Sequence, residues 1–307
     1  MGKIGKIFVT GVNGQLGYDV TSELLRRGIE AVASDIGEDF TGFAVNLKDK
    51  AKYIALDITN EEKVRDVIES EKPDVVIHCA AWTAVDAAEA PENLSIVRRV
   101  NVEGTHNIAN ACKSVDAAMI YISTDYVFNG LGEEPWKPDQ KDYAPLNVYG
   151  RSKLDGELAV AAILDKFFIV RIAWVFGLNG KNFIRTMINA GKTHDMVRVV
   201  SDQIGTPTYT ADLAVLLCDM AESDKYGYYH ATNEGGYISW YDFCCEFYRQ
   251  YGLETEVIPV TTAEYGMSAA KRPFNSRLDK SKLTEAGFKR LPDWQDAVSR
   301  YLRNAEL

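Results

Sequence analysis

Short apolar runs alternate with longer stretches of helical periodicity through the first half of the chain. The runs predicted as strands are residues 6–9, 30–34, 74–78, 118–122 and 167–172, and the stretches predicted as helices lie around 20–25, 92–113 and 149–164. Continuous apolar runs of this length are typical of parallel strands that are buried on both faces. The repeated strand–helix units therefore predict an α/β fold, a doubly wound parallel sheet of the Rossmann type.

The pattern becomes less regular after about Gly177. Pro207 and the pair Gly235-Gly236 interrupt it, and further helices are predicted near Ser239 and over residues 293–302. These changes predict a dinucleotide-binding domain over 1–177 and a smaller, mainly substrate-binding α/β domain over 178–307. This prediction allows one segment of residues 178–307 to add a strand to the sheet of the first domain.

Composition narrows the class of protein. The chain has 307 residues, 46% of them hydrophobic, which is enough for one large domain and a smaller one. Its net charge of -10 argues against a nucleic-acid partner, because binding a phosphate backbone needs a basic face. No apolar run approaches the ~20 residues that span a bilayer. Residues 1–5 are too polar for a signal peptide, so a cytoplasmic location and no membrane partner are expected.

Neither the cysteines nor the histidines have the spacing of a metal site. The five cysteines form no Cys-x-x-Cys pair, which favours buried thiols in a reducing compartment. The four histidines are scattered, and His78, at the end of an apolar run, is predicted to be a hydrogen-bonded core residue. No metal is predicted.

A glycine-rich turn follows the first predicted strand. Gly11, Gly14 and Gly17 have the spacing Gly-x-x-Gly-x-x-Gly and open the first predicted helix. Glycines here permit a tight turn and a close backbone approach to a pyrophosphate, which then rests on a helix N-terminus. The strand–turn–helix context favours a dinucleotide site over an ordinary turn.

Asp35 ends the second predicted strand, about 20 residues after the turn. At this place an acidic side chain hydrogen-bonds the adenosine ribose and repels a 2′-phosphate. No lysine or arginine follows before Lys48 to neutralise such a phosphate. The sequence therefore favours NADH and leaves NADPH open.

Tyr149 and Lys153 are four residues apart on a predicted helix, so they share one face. A nearby ammonium favours phenolate and is expected to lower the pKa of the tyrosine. Thr124, which follows a predicted strand, could hold a carbonyl oxygen. The glycine turn, Asp35 and Thr124 all fall at carboxyl ends of strands, where such sheets bind ligands, so one shared site is predicted.

In these motifs the chain resembles the extended short-chain dehydrogenase/reductases, and among them the dTDP-4-dehydrorhamnose reductases. The resembling segments are 11–17, 79–89, 101–105, 123–130, 149–153, 171–177, 202–208 and 272–276. The glycine turn and the Tyr/Lys pair are common to the whole superfamily. The runs at 83–89, 123–128 and 202–208 are more particular.

The resemblance implies a reaction and a set of contacts. NAD(P)H would deliver hydride to C4 of dTDP-4-dehydro-6-deoxy-L-mannose, giving dTDP-L-rhamnose. Tyr149 would donate the proton, Lys153 would lower its pKa and bind the nicotinamide ribose, and Thr124 would hydrogen-bond the keto oxygen. The residues implied to bind the cofactor, besides this Tyr/Lys pair, are Gly11, Asn13, Gly14, Gln15, Leu16, Gly17, Asp35, Asp57, Ile58, Ala80, Ala81 and Thr83. The residues placed near the substrate are Val85, Asp125, Tyr126, Trp174, Asn182, Gln203 and Arg272.

Several alternatives stay open. Tyr126 stands where the related dehydratases have their glutamate base, so dehydration is not expected, whereas 4-epimerisation needs the same Thr/Tyr/Lys set. A regulatory subunit like that of methionine adenosyltransferase would keep the fold to bind a protein partner. The candidate cations for the substrate diphosphate are Lys181, Arg185, Arg272 and Arg277. The nucleotide on the sugar, the product stereochemistry and a homodimer are not decided by the sequence.

Overall fold

The computed structural model describes residues 5–266, 268–305 and 307. Its strands are β1 (Lys6–Thr10), β2 (Glu30–Asp35), β3 (Lys52–Ala55), β4 (Val75–His78), β5 (Ala118–Thr124), β6 (Phe167–Ile172), β7 (Val175–Phe176), β8 (Met196–Val200), β9 (Ile204–Gly205), β10 (Thr208–Tyr209), β11 (Gly227–His230), β12 (Ile238–Ser239) and β13 (Glu256–Val260). Residues 1–4, part of the polar start of the chain discussed above, lie outside the described residues.

Helices of 4 to 16 residues lie between and after these strands. They are α1 (Gln15–Arg26), α2 (Glu61–Glu71), α3 (Val85–Ala88), α4 (Leu94–Arg98), α5 (Thr105–Ser114), α6 (Val148–Ile163), α7 (Phe183–Gly191), α8 (Thr210–Ala221), α9 (Trp240–Tyr251), α10 (Thr262–Tyr265), α11 (Ser281–Glu285) and α12 (Trp294–Asn304). The predicted helix over 92–113 is in fact α4 and α5 joined by a π-helical segment, Arg99–Gly104.

The main sheet confirms the predicted Rossmann architecture. Its strand order is β11-β6-β5-β4-β1-β2-β3, and every neighbouring pair in it is parallel. The order reverses between β1 and β4, and in open sheets such a reversal opens a crevice for ligands. β11 comes from beyond residue 177 and pairs with β6 at the sheet edge.

Apolar side chains fill both faces of this sheet. Ile7, Val9 and Ile120 pack on one face with residues of α1 and α8, and Phe8 and Met119 pack on the other with residues of α2, α5 and α6. A separate apolar cluster joins α7, α9, α12 and the parallel pair β8–β13. The apolar clusters on the two faces of the sheet support its strands from both sides. A precise site at the strand ends requires such rigid support.

The structure also describes the surroundings of His78 and of the cysteines. His78 is buried and hydrogen-bonded to the hydroxyls of Thr10 and Thr105, as predicted. All five cysteines are free thiols; Cys112, Cys218 and Cys244 are buried as predicted, whereas Cys79 and Cys245 are partly exposed. None of the described helices combines the length and the apolar composition that crossing a bilayer requires.

Candidate active site at the carboxyl edge of the sheet

A cleft of about 770 Å³ opens at the carboxyl ends of β1, β2, β4, β5 and β6. Most of the residues predicted for the site line it together. They are Gly11, Asn13, Gly14, Gln15, Leu16, Gly17, Asp35, Asp57, Ile58, Ala80, Ala81, Thr83, Val85, Thr124, Asp125, Tyr126, Tyr149, Lys153 and Trp174. The structure therefore brings the predicted nucleotide end and the predicted reactive end into one continuous space.

The glycine turn has a shape that side chains would disrupt. Gly11 has a φ of +72°, and a Cβ there would lie 2.7 Å from the backbone nitrogen of Ala80. A Cβ on Gly17 would lie 2.1 Å from the carbonyl oxygen of Gly11. Because glycines carry no Cβ, the turn packs closely on itself and on the backbone at Ala80. The N-terminus of α1, which has no acidic residue in its first turn, can then face the cleft.

Asp35 is fixed at the β2 end of the cleft. Its Oδ2 accepts a hydrogen bond from the backbone nitrogen of Asn13 at 2.9 Å, and its Oδ1 accepts from that of Ile36 at 2.8 Å. These bonds couple the carboxylate to the glycine turn. A negative charge is thus held beside the predicted pyrophosphate loop.

The loop after β4 is tied to α6 by a residue to which the sequence assigned no role. Asn101, in the π-helical segment, accepts from the backbone nitrogen of Trp82 at 2.7 Å and donates to the Trp82 carbonyl at 3.1 Å. It also donates to the hydroxyl of Ser152 at 2.9 Å. Asn101 thereby joins the wall formed by Ala80 and Ala81 to the helix that carries the Tyr/Lys pair. Its only signal in the sequence was its place in a resembling run.

Helix α6 places Tyr149 and Lys153 against the end of β5. The side chain of Asn147 caps the helix by accepting from the backbone nitrogen of Gly150 at 2.7 Å. A Cβ on Gly150 would lie 2.4 Å from the carbonyl oxygen of Tyr126, so glycine permits this close approach. The Tyr149 ring packs edge-to-face on Tyr126, with 5.7 Å between ring centroids.

Burial dominates the electrostatics of the Tyr/Lys pair. Lys153 is 3% exposed and its ammonium lies 4.1 Å from the centroid of the Tyr121 ring. Burial lowers the pKa of Lys153 to about 7, although the Glu157 carboxylate acts in the opposite direction. Burial also raises the pKa of Tyr149 above its ordinary value, while the Thr124 hydroxyl lowers it. This direction is opposite to the one predicted for Tyr149, because desolvation of the phenolate outweighs the favourable contacts.

Thr124 and Asp125 form a buried polar pair beside Tyr149. The Thr124 hydroxyl donates to Asp125 Oδ1 at 3.1 Å and accepts from the backbone nitrogen of Tyr126 at 3.3 Å. Burial raises the pKa of Asp125 to about 7, against the lowering effects of the Ser276 and Thr124 hydroxyls. A carboxyl group that changes charge near neutral pH therefore lies in contact with the predicted carbonyl-binding hydroxyl.

Trp174 lines the cleft in an unusual backbone conformation. It has a φ of +51°, a left-handed value that is uncommon for a large side chain. Its indole stacks on that of Trp240 with ring centroids 3.9 Å apart. Trp240 also lines the cleft and was not predicted. The two indoles meet only through tertiary packing, since 66 positions separate them and no local pattern links them.

Three of the residues placed near the substrate do not line the cleft, namely Asn182, Gln203 and Arg272. Asn182 caps α7 and donates to the carbonyl of Gly177 at 2.9 Å and to Oε1 of Gln15 at 3.2 Å. Gln203 is buried and donates to the hydroxyl of Thr262 at 3.0 Å. Both amides therefore have hydrogen-bond partners within the chain, and their contact with the substrate stays a prediction.

Of the four cations considered for the substrate diphosphate, one lines the cleft and three do not. Lys181 lines the cleft. Arg272 forms a two-point ion pair with Asp86, at 2.6 and 3.0 Å, and does not line the cleft. Arg277 donates to Oδ1 of Asn275 at 3.0 Å, and Arg185 lies in the first turn of α7. Among these four residues, Lys181 is the cation that the structure brings to the site.

Comparison with known proteins places the chain in a family. The family described as RmlD substrate binding domain matches residues 5–307. The chain belongs to this family. The resemblance predicted from the motifs is thereby confirmed.

Individual members of the family are similar over nearly their full length. The chain is 39% identical to the dTDP-4-dehydrorhamnose reductase of Streptomyces griseus, over 95% of this chain and 91% of that protein. A crystal structure of the dTDP-4-dehydrorhamnose reductase of Clostridium acetobutylicum is 40% identical, with a TM-score of 0.87 over 97% of this chain and 98% of that one. The Bacillus anthracis enzyme, solved in complex with NADP, is 36% identical, with a TM-score of 0.88 over 99% of this chain and 100% of that one.

Proposed function

We propose that the chain reduces the C4 ketone of dTDP-4-dehydro-6-deoxy-L-mannose to form dTDP-L-rhamnose, with a nicotinamide cofactor as hydride donor. The observation that carries this proposal is the convergence of Thr124, Tyr149 and Lys153 with the glycine turn in one cleft. Membership of a family that contains dTDP-4-dehydrorhamnose reductases supports it.

The cofactor would occupy the glycine-turn side of the cleft. The backbone of the turn and the N-terminus of α1 fit a pyrophosphate, and Asp57 and Ile58 would lie beside the adenine. Ala80, Ala81 and Thr83 would form the wall that leads towards Tyr149. The bound cofactor supplies the hydride, and the protein supplies orientation and charge.

The protein's own groups would handle the proton. The raised pKa of Tyr149 keeps the phenol protonated at neutral pH, which is the state that a proton donor needs. The phenol would give its proton to the alkoxide that forms at C4, because an alkoxide is a much stronger base than a phenolate. Lys153 would stabilise the phenolate that remains, and Thr124 would hydrogen-bond the keto oxygen.

The sugar would lie against the remaining cleft residues. Val85, Asp125, Tyr126 and Trp174 line the same cleft as Tyr149, and Trp240 stacks on Trp174 in its wall. Lys181 is the cleft cation suited to the substrate diphosphate. These positions support a nucleotide-linked deoxysugar as substrate.

The test is consumption of NADH with dTDP-4-dehydro-6-deoxy-L-mannose, followed by identification of the sugar product. We expect one NADH to be consumed for each dTDP-L-rhamnose formed. Conversion of a dTDP-sugar to its 4-epimer without net NADH consumption would show an epimerase instead. Absence of turnover, together with tight binding to a methionine adenosyltransferase catalytic subunit, would identify a regulatory binding module.

We also propose that NADH is preferred over NADPH. The Asp35 carboxylate is held beside the glycine turn, where a 2′-phosphate would meet it. In Asp35→Ala we expect kcat/KM for NADPH relative to NADH to rise by about tenfold or more, because like-charge repulsion is removed. Steady-state kinetics with both cofactors measures the ratio.

A neighbouring carboxylate provides the control. Asp39 is in the same loop region but forms a salt bridge with Lys48 at 2.5 Å. Asp39→Ala should leave the cofactor ratio within about twofold of the wild-type value, since this charge is already paired. A wild-type enzyme that clearly prefers NADPH would contradict the proposal.

A further inference from the structure

We infer that Asp125 is a positioning residue whose charge decides whether the hydroxyl hydrogen of Thr124 is available to the substrate ketone. The neutral carboxylic acid would release that hydrogen, and the carboxylate would retain it. The inference rests on the proposed reductase function, in which Thr124 donates a hydrogen bond to the C4 oxygen.

Thr124 has a single hydroxyl hydrogen, and it is already engaged. A threonine hydroxyl has one hydrogen to donate and two lone pairs to accept. Here the hydrogen points to Asp125 Oδ1 at 3.1 Å, and one lone pair accepts from the backbone nitrogen of Tyr126 at 3.3 Å. Thr124 can therefore donate to a ketone only by giving up its bond to Asp125.

The Asp125 carboxyl group and the substrate ketone would compete as acceptors of the Thr124 hydrogen. Hydrogen bonds to an ionised carboxylate are roughly twice as strong as those between neutral groups. An ionised Asp125 would thus hold the Thr124 hydrogen against a neutral ketone. A neutral Asp125 would compete on nearly equal terms, and the ketone gains as negative charge develops on its oxygen.

Burial of the carboxyl group favours a neutral Asp125 near physiological pH. Asp125 is 2% exposed, and within the described part of the chain its Oδ2 is buried without a hydrogen-bond partner. The Ser276 hydroxyl lies beside the carboxyl group and lowers its pKa without completing a bond to Oδ2. Burial outweighs this effect and raises the pKa of Asp125 to about 7.

Other charged or titratable groups surround this carboxyl group. Tyr126 adjoins Asp125 on the same turn, and Tyr149 faces it from α6. Arg272 and Asp86, which form an ion pair, both act electrostatically on Tyr126. Neither tyrosine titrates near neutral pH, because burial raises both their pKa values. Within this set, Asp125 is the group that changes charge near pH 7.

We expect kcat to fall as the pH rises through the neutral range. Below its pKa Asp125 is neutral and Thr124 is free to donate, so kcat is high. As pH rises through that pKa, the carboxylate forms and kcat falls. Lys153 has its pKa lowered to about 7 as well, and its loss of charge would also reduce kcat at high pH. The experiment must therefore change Asp125 while Lys153 stays in place.

The experiment is the pH profile of kcat at saturating NADH and dTDP-sugar for the wild type, Asp125→Asn and Ser276→Ala. An asparagine amide oxygen accepts a hydrogen bond but never becomes charged. We expect the fall in kcat between about pH 6 and pH 9 to be at least about fivefold smaller in Asp125→Asn than in the wild type, because one lost transition-state hydrogen bond costs about 10²-fold or more.

Ser276→Ala provides a second test, in which the alkaline fall is expected to shift along the pH axis. Because the Ser276 hydroxyl lowers the pKa of Asp125, removing it should move the alkaline fall to higher pH. This variant keeps every residue of the Thr124–Tyr149–Lys153 set, so it also serves if Asp125→Asn does not fold. Thermal unfolding and NADH binding establish that each variant is folded.

The outcomes separate the two proposals. Alkaline falls that coincide in the wild type and both variants would overturn the role of Asp125 and leave the reductase intact. A smaller fall in Asp125→Asn, together with a fall displaced to higher pH in Ser276→Ala, supports that role. A folded wild type that binds NADH but reduces none of the dTDP-sugar would defeat the proposed function itself.

Discussion

Replacement of Tyr149 with phenylalanine is expected to lower kcat by about 10²–10⁴-fold, the range for loss of a positioned acid–base group. The change removes only the hydroxyl that would give its proton to the C4 alkoxide. The ring that remains can keep its edge-to-face contact with Tyr126, so stability and NADH binding should change little. Steady-state NADH oxidation with the dTDP-sugar measures the effect.

The partner in the same ring pair supplies the control. Tyr126→Phe removes a phenol that also lines the cleft, but one that does not lie four residues before Lys153. We expect its loss of kcat to be at least about tenfold smaller than that of Tyr149→Phe. If Tyr149→Phe kept more than about a tenth of the wild-type kcat, a different group would have to be the proton donor.

The second large effect is on stability. Glu157→Gln should reduce the free energy of unfolding by about 3–5 kcal/mol, the cost of leaving a buried charge unpaired. Glu157 and Arg171 have side chains that are 1% and 0% exposed, and two hydrogen bonds of 2.8 and 2.7 Å join them. The guanidinium also donates to the carbonyl of Pro138 and the hydroxyl of Tyr143. A glutamine keeps the shape but cancels the countercharge.

Denaturant unfolding of the wild type and the variant measures this difference. Glu62→Gln is the control, because Glu62 is 82% exposed and its ion pair with Arg65 is long, at 4.0 Å. It should change stability by less than about 0.5 kcal/mol. The double variant Glu157→Leu with Arg171→Met should recover most of the loss, since removing both charges leaves none unpaired. A loss below about 1 kcal/mol in Glu157→Gln would contradict the argument.

This ion pair also links the fold to the chemistry. Glu157 lies one turn after Lys153 on α6, and its carboxylate acts to raise the pKa of that lysine. Arg171 is on β6, next to the strand that delivers Thr124. The same contact therefore fixes α6 on the sheet and helps Lys153 stay charged against the effect of burial.

Features with a local cause were predictable from the sequence. The glycine turn follows from the steric need for small residues at three spaced positions, and the Tyr149/Lys153 pairing follows from helix geometry. Thr124 and Asp35 could be assigned to strand ends because the apolar runs before them are distinct. Parallel topology then brings these ends to one edge. The architecture and the common cleft were therefore determined by patterns spanning a few residues each.

Features that depend on burial or distant packing were decided only by the tertiary structure. The stacking of Trp174 on Trp240 has no local pattern behind it. The hydrogen bonds that the amides of Asn182 and Gln203 make within the chain could not be predicted from residue spacing either. The pKa of Tyr149 rises rather than falls, since desolvation depends on everything that surrounds the phenol. Thus the sequence by itself determined which chemical groups meet at the sheet edge. The tertiary structure decided their charge and their hydrogen-bond partners, because both are properties of the packed surroundings and not of residue spacing.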